Sequence, residues 1–234
     1  EKNILFTNND SAYETAISLI QKGINIEAIV DNREEVDSKL HFEIEKNNIK
    51  IFKGYTVTNT FGYKRINKIS IMKLSKDGQK VVGSKIDLYC DCLGVSGGWT
   101  PAVHLFTQSG GKLKFREEDQ VFIPNIYPSD QLSIGSCNGD FTLDEILTNT
   151  PKSLKDYLNI KNTEYDNLEV LSSTNKSKRN IWLLPSDKVL GKTKSFVDYQ
   201  NDATAKDIKL ALREGFRSIE HVKRYTTTGM GTDQ

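Results

Sequence analysis

The chain has 234 residues, 37% of them hydrophobic and 27% charged, which suits one large domain, or a medium domain with a small appendage, and is enough apolar content to bury a core. Its 32 basic and 31 acidic residues are interspersed, giving a net charge of +1 with no basic face or arginine-rich arm, so nucleic acid is not expected as the main partner. No apolar run approaches the roughly 18 residues of a membrane span and no signal peptide opens the chain, so no membrane partner and a cytoplasmic location are expected.

In chain order, "NILFTN" reads as an apolar strand, and "DSAYETAISLIQKG" as a helix. Ser11 and Glu14 have capping-box spacing, Tyr13, Ala16, Ile17 and Ile20 recur at helical spacing, and Gly23 is a natural stop. "IEAIVDN" is a second strand, "SKLHFEIEKNN" a second helix, and "IKIFKGYTVTNTFGY" begins a third strand. This β-α-β-α-β alternation predicts an α/β fold with a parallel sheet and right-handed crossovers. "KRINKISIMKLSKDGQKVVGSKIDLYCDCLGV" changes to β-strands around a turn at Asp77-Gly78, with a buried strand ending at Val95. Next come the glycine-rich "SGGWTPAVHLFTQSGGKL", a hairpin-like "LKFREEDQVFIPN", and a strand–turn–helix in "LSIGSCNGDFTLDEIL", where Thr142 and Glu145 have capping-box spacing. A helix is expected after Pro151, then a polar linker, "SSTNKSKRN", and an isolated strand, "IWLLP". In the tail, Thr204 and Asp207 cap a helix that Gly215 ends, and Ser218 begins another.

Cys90, Cys92 and Cys137 are too few, and odd in number, for a disulfide framework. Cys90 and Cys92, two apart on a strand, are expected to share one face and to pack as small hydrophobes, since no nearby His or Cys completes a metal site.

A strand–turn–helix opening a βαβ unit is where a G-x-G-x-x-G dinucleotide loop would sit. Here Thr7, Asn9 and Ala12 stand in the three glycine positions. Ala12 is small enough for helix–strand packing, but Thr7 and Asn9 put side chains where a tight turn and bare backbone are needed. Asp31 ends the second strand at about the distance of an acid that grips a ribose hydroxyl. The reading favoured is a retained scaffold over a working site.

"CDCLGVSGGWTPAVHLFTQSGGKLKF" closely resembles the α subunit of heterotetrameric sarcosine oxidase. "FVDYQNDATAKDIKLALREGFRSIEHVKRYTTTGMGTDQ" and "FTNNDSAYETA" resemble it too, in the same order, so the likeness covers essentially the whole chain. The resemblance implies residues 1–84 as a degenerate, Rossmann-like second nucleotide lobe and 85–150 as the returning part of an FAD/NAD(P)-binding-type domain. It further implies 151–180 as a linker and 181–234 as a small helical module. The chain starts at Glu1 and stops inside patterned sequence, so it is expected to be a piece of a longer polypeptide, lacking an N-terminal glycine-rich loop and a C-terminal folate-binding domain.

FAD-type domains place Gly-Asp at the last strand end, the acid gripping the flavin's ribityl chain. Here Gly135 is followed by Ser136, which agrees with NAD over FAD. The amides at the helix start after Phe141 could face a pyrophosphate. Ser136, Phe141 and Leu143 are the candidate cofactor contacts, in an NAD site split between this chain and residues outside it. The tail resembles a module that elsewhere carries a two-iron two-sulfur cluster on four cysteines. Asp198, Gln200 and Asp233 stand in for three of them, and a carboxylate–amide set cannot replace thiolates, so no iron–sulfur cluster is expected.

His41, His104 and His221 are dispersed, with no nucleophile around them, and no catalytic or metal-ligating residue is assigned. In the family, sarcosine is oxidised at FAD on the β subunit, electrons pass to FMN at the α/β interface and then to oxygen, and tetrahydrofolate takes the one-carbon unit. The implied role is therefore a non-catalytic, NAD-holding scaffold docked to β, γ and δ subunits. The alternatives are a subunit of a dye-linked amino-acid dehydrogenase and a stand-alone nucleotide-binding scaffold.

Overall fold

Alternating apolar side chains make Asn3–Thr7 a strand, β1, and the i, i+3, i+4 spacing after it makes Ser11–Gln21 a helix, α1. A computed structural model describes residues 1–128, 130–160 and 180–231. They divide into two compact units, one drawn from Ile4–Lys53 and Gly94–Asn180, the other from Glu1–Asn3, Gly54–Leu93 and Ile181–Gln234.

In the first unit α1 is followed by β2 (Ile26–Asp31), α2 (Ser38–Lys46) and β3 (Lys50–Lys53), with β2 and β3 parallel. The sheet order is β3-β2-β1-β7, where β7 is Cys92–Ser96. Gly94 permits this approach, because a Cβ there would lie 2.6 Å from Leu5 Cδ2. Tyr13 and Ala16 from α1, Ile26 and Ile29 from β2, Ile44 from α2 and Ile49 form the core, with Ile17 and Ile20 packed against it. Burying each such isoleucine contributes about 1.5–3 kcal/mol. Gly23, at φ +80°, ends α1 with its amide on the Ile20 carbonyl.

The Ser11–Glu14 capping box does not form. Asp10 is the N-cap residue and Ser11 already helical, its hydroxyl donating to Asn9 Oδ1. The cap appears instead on α2, where Asp37 accepts from the Lys39 and Leu40 amides. Further along are α3 (His104–Gln108) and the antiparallel hairpin of β8 (Lys112–Arg116) and β9 (Val121–Ile126). The expected strand in "LSI" is absent: residues 131–134 lead irregularly into a 3-10 turn, Gly135–Asn138. From Thr142 a single helix, α4 (Leu143–Leu158), runs through Pro151 to Asn159, which takes the left-handed conformation. The capping box at Thr142 and Glu145 forms as read, so nucleation there carries the helix across the proline. Most of the polar linker, 161–179, lies outside the described residues.

In the second unit the run expected as one strand breaks at Gly54, φ +73°, and continues as β4 (Tyr55–Gly62). β4 pairs antiparallel with β5 (Ile66–Leu74), and β5 with β6 (Val81–Tyr89), around the Asp77-Gly78 turn. β5 is central and buries Ile69, Ser70, Ile71 and Met72 in succession. Cys90 and Cys92 do not share a face. The chain bends at Asp91, leaving Cys90 buried and Cys92 exposed. "IWLLP" is not a strand: among the described residues no strand pairs with it, and Trp182 is 78% exposed.

The C-terminal part holds a 3-10 turn at Leu190–Lys192, a short ribbon of β10 (Phe196–Asp198) and β11 (Ala203–Thr204), then α5 (Ala205–Arg213) and α6 (Ile219–Thr226). The Thr204 amide donates to Asp207 Oδ2, Gly215 takes φ +96° after α5, and Ser218 is the N-cap residue of α6, all as read from the sequence. Ala211 and Val222 are the buried residues of this helix pair, and the rings of Phe216 and Tyr225 lie 4.7 Å apart.

Candidate functional site

The loop joining β1 to α1 is where a dinucleotide's pyrophosphate would meet backbone, and it is filled by the protein's own side chains. The Thr7 hydroxyl donates to the Asn9 carbonyl and accepts from the Asn9 amide, both at 3.1 Å. Asn9 Nδ2 donates to Asn8 Oδ1 at 3.0 Å and to Ser96 Oγ and its carbonyl at 3.1 and 3.2 Å. Asn9 Oδ1 accepts from Ser11 Oγ at 2.6 Å, and Trp99 Nε1 donates to that same hydroxyl at 3.3 Å. Asn8 reaches Asn180 Oδ1, whose amide donates to the Asp119 carbonyl. The two residues that break the glycine pattern have become the loop's internal ligands.

Asp31, the candidate ribose acid, is fully buried and bound to the protein itself. Its carboxylate accepts from Arg33 Nε at 3.1 and 3.2 Å, from Arg33 Nη2 at 2.8 Å, from the Arg33 amide at 2.8 Å and from the Tyr13 hydroxyl at 3.0 Å. Arg33, only 2% exposed, also pairs through Nη1 with Asp10 Oδ1 at 2.8 Å. Burial raises the Asp10 carboxyl above its usual range against the lowering pull of Arg33. Burial likewise drives the Tyr13 hydroxyl far up, reinforced by the neighbouring Asp31 charge, so Tyr13 stays a donor. Neither the glycine pattern nor the helical spacing singles out Arg33. The signal was available: an arginine two residues beyond a strand-terminal acid, in "VDNR".

The second candidate region is the turn and helix start at 135–145. Ser136 lies exposed on the 3-10 turn, Phe141 is half-buried before the cap, and Leu143 opens α4 with 61% of its surface exposed. The Phe141 and Thr142 amides both donate to Glu145 Oε2 at 3.1 Å, and the Glu145 amide to Thr142 Oγ1 at 3.2 Å. The Phe141, Thr142 and Glu145 amides are therefore engaged by the capping box, and Asp144 and Glu145 add negative charge to the same turn. Gly139 closes it: buried, at φ +88°, with its carbonyl accepting from Arg116 Nη2 at 2.9 Å.

Of the cluster-ligand positions, Asp198 is a hydrogen-bond acceptor for the Gln200 amide and three other donors, and Asp233 lies outside the described residues. Among the described residues no three His, Cys, Asp or Glu side chains are grouped to hold a metal ion. Burial pushes the Cys90 thiol up, away from thiolate chemistry. His41 lies 3.4 Å from Glu45 on α2, while His104 and His221 are exposed on α3 and α6. Among the described residues no helix is long and apolar enough to cross a membrane.

Residues 192–234 match the model of the sarcosine oxidase A3 domain. The chain is 28% identical over 233 residues to the sarcosine oxidase subunit alpha of Corynebacterium sp. (strain U-96), covering 97% of this chain and 24% of that protein. It is 29% identical over 240 residues to the subunit alpha of Rhizobium meliloti (strain 1021), covering 98% and 22%. Among solved structures, L-proline dehydrogenase from P. horikoshii superposes with a TM-score of 0.49 at 14% identity, over 98% of this chain and 40% of that one. Thioredoxin reductase from T. acidophilum superposes with a TM-score of 0.41 at 18% identity, over 59% and 48%. The chain spans about a quarter of the length of the curated relatives it matches. Over nearly all of its own length, then, it is similar to the α subunits of sarcosine oxidases, and its C-terminal helical module is similar to their A3 domain.

Proposed function

We propose that this chain is a segment of a sarcosine oxidase α subunit, serving as a non-catalytic scaffold that helps hold NAD and docks partner subunits β, γ and δ. The end-to-end similarity to α subunits, with the A3 match in register at 192–234, is the observation that carries this reading. The enzyme would oxidatively demethylate sarcosine to glycine, forming peroxide and methylene-tetrahydrofolate. Its FAD, FMN and folate sites would lie outside this chain. The divisions at residues 84, 150 and 180 belong to the same reading.

The β1–α1 loop does not fit a dinucleotide. The Thr7 hydroxyl and the Asn9 side chain fill it, and Arg33 holds the acid that a ribose would need. The 135–145 region offers NAD exposed side chains. The exposed Ser136 hydroxyl and Leu143 side chain and the half-buried Phe141 are groups a nucleotide could touch, beside the Phe141 and Thr142 amides that serve the cap. NAD would supply no chemistry that any residue here completes. These three residues would bind and orient it.

The test is to express the whole reading frame with its partner subunits and assay peroxide formation. Sarcosine-dependent peroxide sustains the reading. Oxidation of another amino acid with a dye and without oxygen would favour the dehydrogenase alternative. Titrating this chain alone with NAD should show weak binding or none, and submicromolar binding would sink the split site.

A further inference from the structure

The geometry points to a carboxylate latch in the C-terminal module: Asp198 ties the turn before α5 to the loop after α6, and the tie opens when Asp198 takes up a proton. This stands apart from the enzyme reading, because it rests on hydrogen bonds within the module. Asp198 Oδ1 accepts from the Gln200 and Asn201 amides at 2.8 and 3.1 Å and so organises its own turn. Oδ2 accepts from Asn201 Nδ2 at 3.0 Å and from the Gly229 amide at 2.8 Å, across 31 residues of chain. Both helices of the module lie inside the loop that this last bond closes.

The far side is built to present its amide. Thr227 ends α6 in the left-handed conformation, at φ 60°. The Thr226 and Thr228 hydroxyls bond each other at 2.8 Å, and Met230 N donates to the Thr227 carbonyl. Gly229 is itself left-handed, at φ +64°, a conformation that a side chain would strain, and its N–H reaches Asp198. Of the charged groups near these elements, Lys223 on α6 has its Cε 3.8 Å from where a Cβ on Gly229 would stand, Lys194 precedes β10, Asp202 lies in the turn, and Lys206 and Asp207 open α5. Asp207 is held by Thr204. The Asn201 side chain first, and then the Gly229 amide, hold the Asp198 carboxyl below its usual range. A protonated carboxyl accepts both sets of bonds poorly. The latch is therefore closed above the ordinary carboxylate pKa and opens as pH falls through the lowered one.

The position is also where the resemblance places a cluster cysteine. In this chain a hydrogen-bonded carboxylate makes the cross-tie between the two helix ends that thiolates on a shared metal would otherwise make.

The test is amide hydrogen exchange on the full chain. In Asp198→Ala the Gly229 and Gln200 amides should both exchange faster by about tenfold or more, the loss expected for hydrogen bonds to a charged acceptor. In Asn201→Ala, which removes only the side-chain donor, Gly229 should stay within about threefold of wild type. Gly229 protection unchanged in Asp198→Ala would overturn the latch. The wild-type chain gives a readout that needs no variant: the Gly229 amide resonance should titrate together with the Asp198 carboxyl, below the ordinary Asp range. A Gly229 signal that stays flat while Asp198 titrates overturns the proposal equally.

Discussion

The turn after β2 and the turn after β10 both use an aspartate to organise backbone where the resemblance to cofactor-binding proteins leads one to expect a ligand, but in opposite dielectric settings. Asp31 is wholly buried with Arg33 and the Tyr13 hydroxyl, whereas Asp198 sits at the surface among backbone amides. Buried charge must be matched nearly completely or it is severely costly, so the first turn is committed to its internal partners. At the surface water competes for every bond, so the second is held weakly enough to open. Replacing a ligand by side chains yields a permanent fill inside the protein and a reversible tie at its surface.

The largest test of that contrast is Arg33→Met. It would leave Asp31 buried without its counter-ion and should cost about 3–5 kcal/mol, read as a lowered urea midpoint. A loss below about 1 kcal/mol would erase the distinction between the two regions. Tyr13→Phe removes one donor from the same carboxylate, and a cost of about 1.5–3 kcal/mol is expected from denaturant unfolding. Asn9→Gly restores a glycine of the dinucleotide pattern. It should lose about 1 kcal/mol and gain no NAD affinity by calorimetry, because Arg33 still holds Asp31. Measurable NAD binding by that variant would mean that the loop, not the ion cluster, is what closes the site.

The smallest effect is a difference of sign with pH. The Asp10 carboxyl is raised by burial, so its contribution to stability is fully present below its unfolded pKa and declines as pH rises through the folded value. The Asp198 carboxyl is lowered, so its contribution is present above the unfolded pKa and is lost as pH falls through the folded value. Across the acid range, Asp10→Asn and Asp198→Asn should therefore tilt the pH–stability profile in opposite directions. Parallel tilts would show that the two aspartates share one environment.

Much of the local structure was legible. Thr142 with Glu145, Thr204 with Asp207, Gly23 and Gly215 act within one turn of chain, and each sits where its spacing placed it. The helical spacing of Tyr13, Ala16, Ile17 and Ile20 likewise found the core face of α1. The failures were of another kind. Ser11 lost the cap because its hydroxyl is taken up by Asn9, and Asn9 is placed by Ser96, distant in sequence. "IWLLP" has strand composition, but a strand needs a neighbour to pair with. Cys90 and Cys92 parted because the chain bends between them. At 135–145, the reach of Glu145 back to the Phe141 amide could not be read from spacing alone.

The sequence by itself determined the βαβαβ order, the caps and stops, the absence of the glycine fingerprint and the likeness to sarcosine oxidase α subunits. All of these depend on residues near one another in the chain or on pattern alone. Only the tertiary structure decided what fills the empty pattern: Arg33 turned inward onto Asp31 and Asp10, Asn9 onto Ser96, and Asp198 across two helices to Gly229. These partners are chosen by burial and three-dimensional proximity. A charge removed from water is stable only beside its opposite, and the fold sets which group stands there.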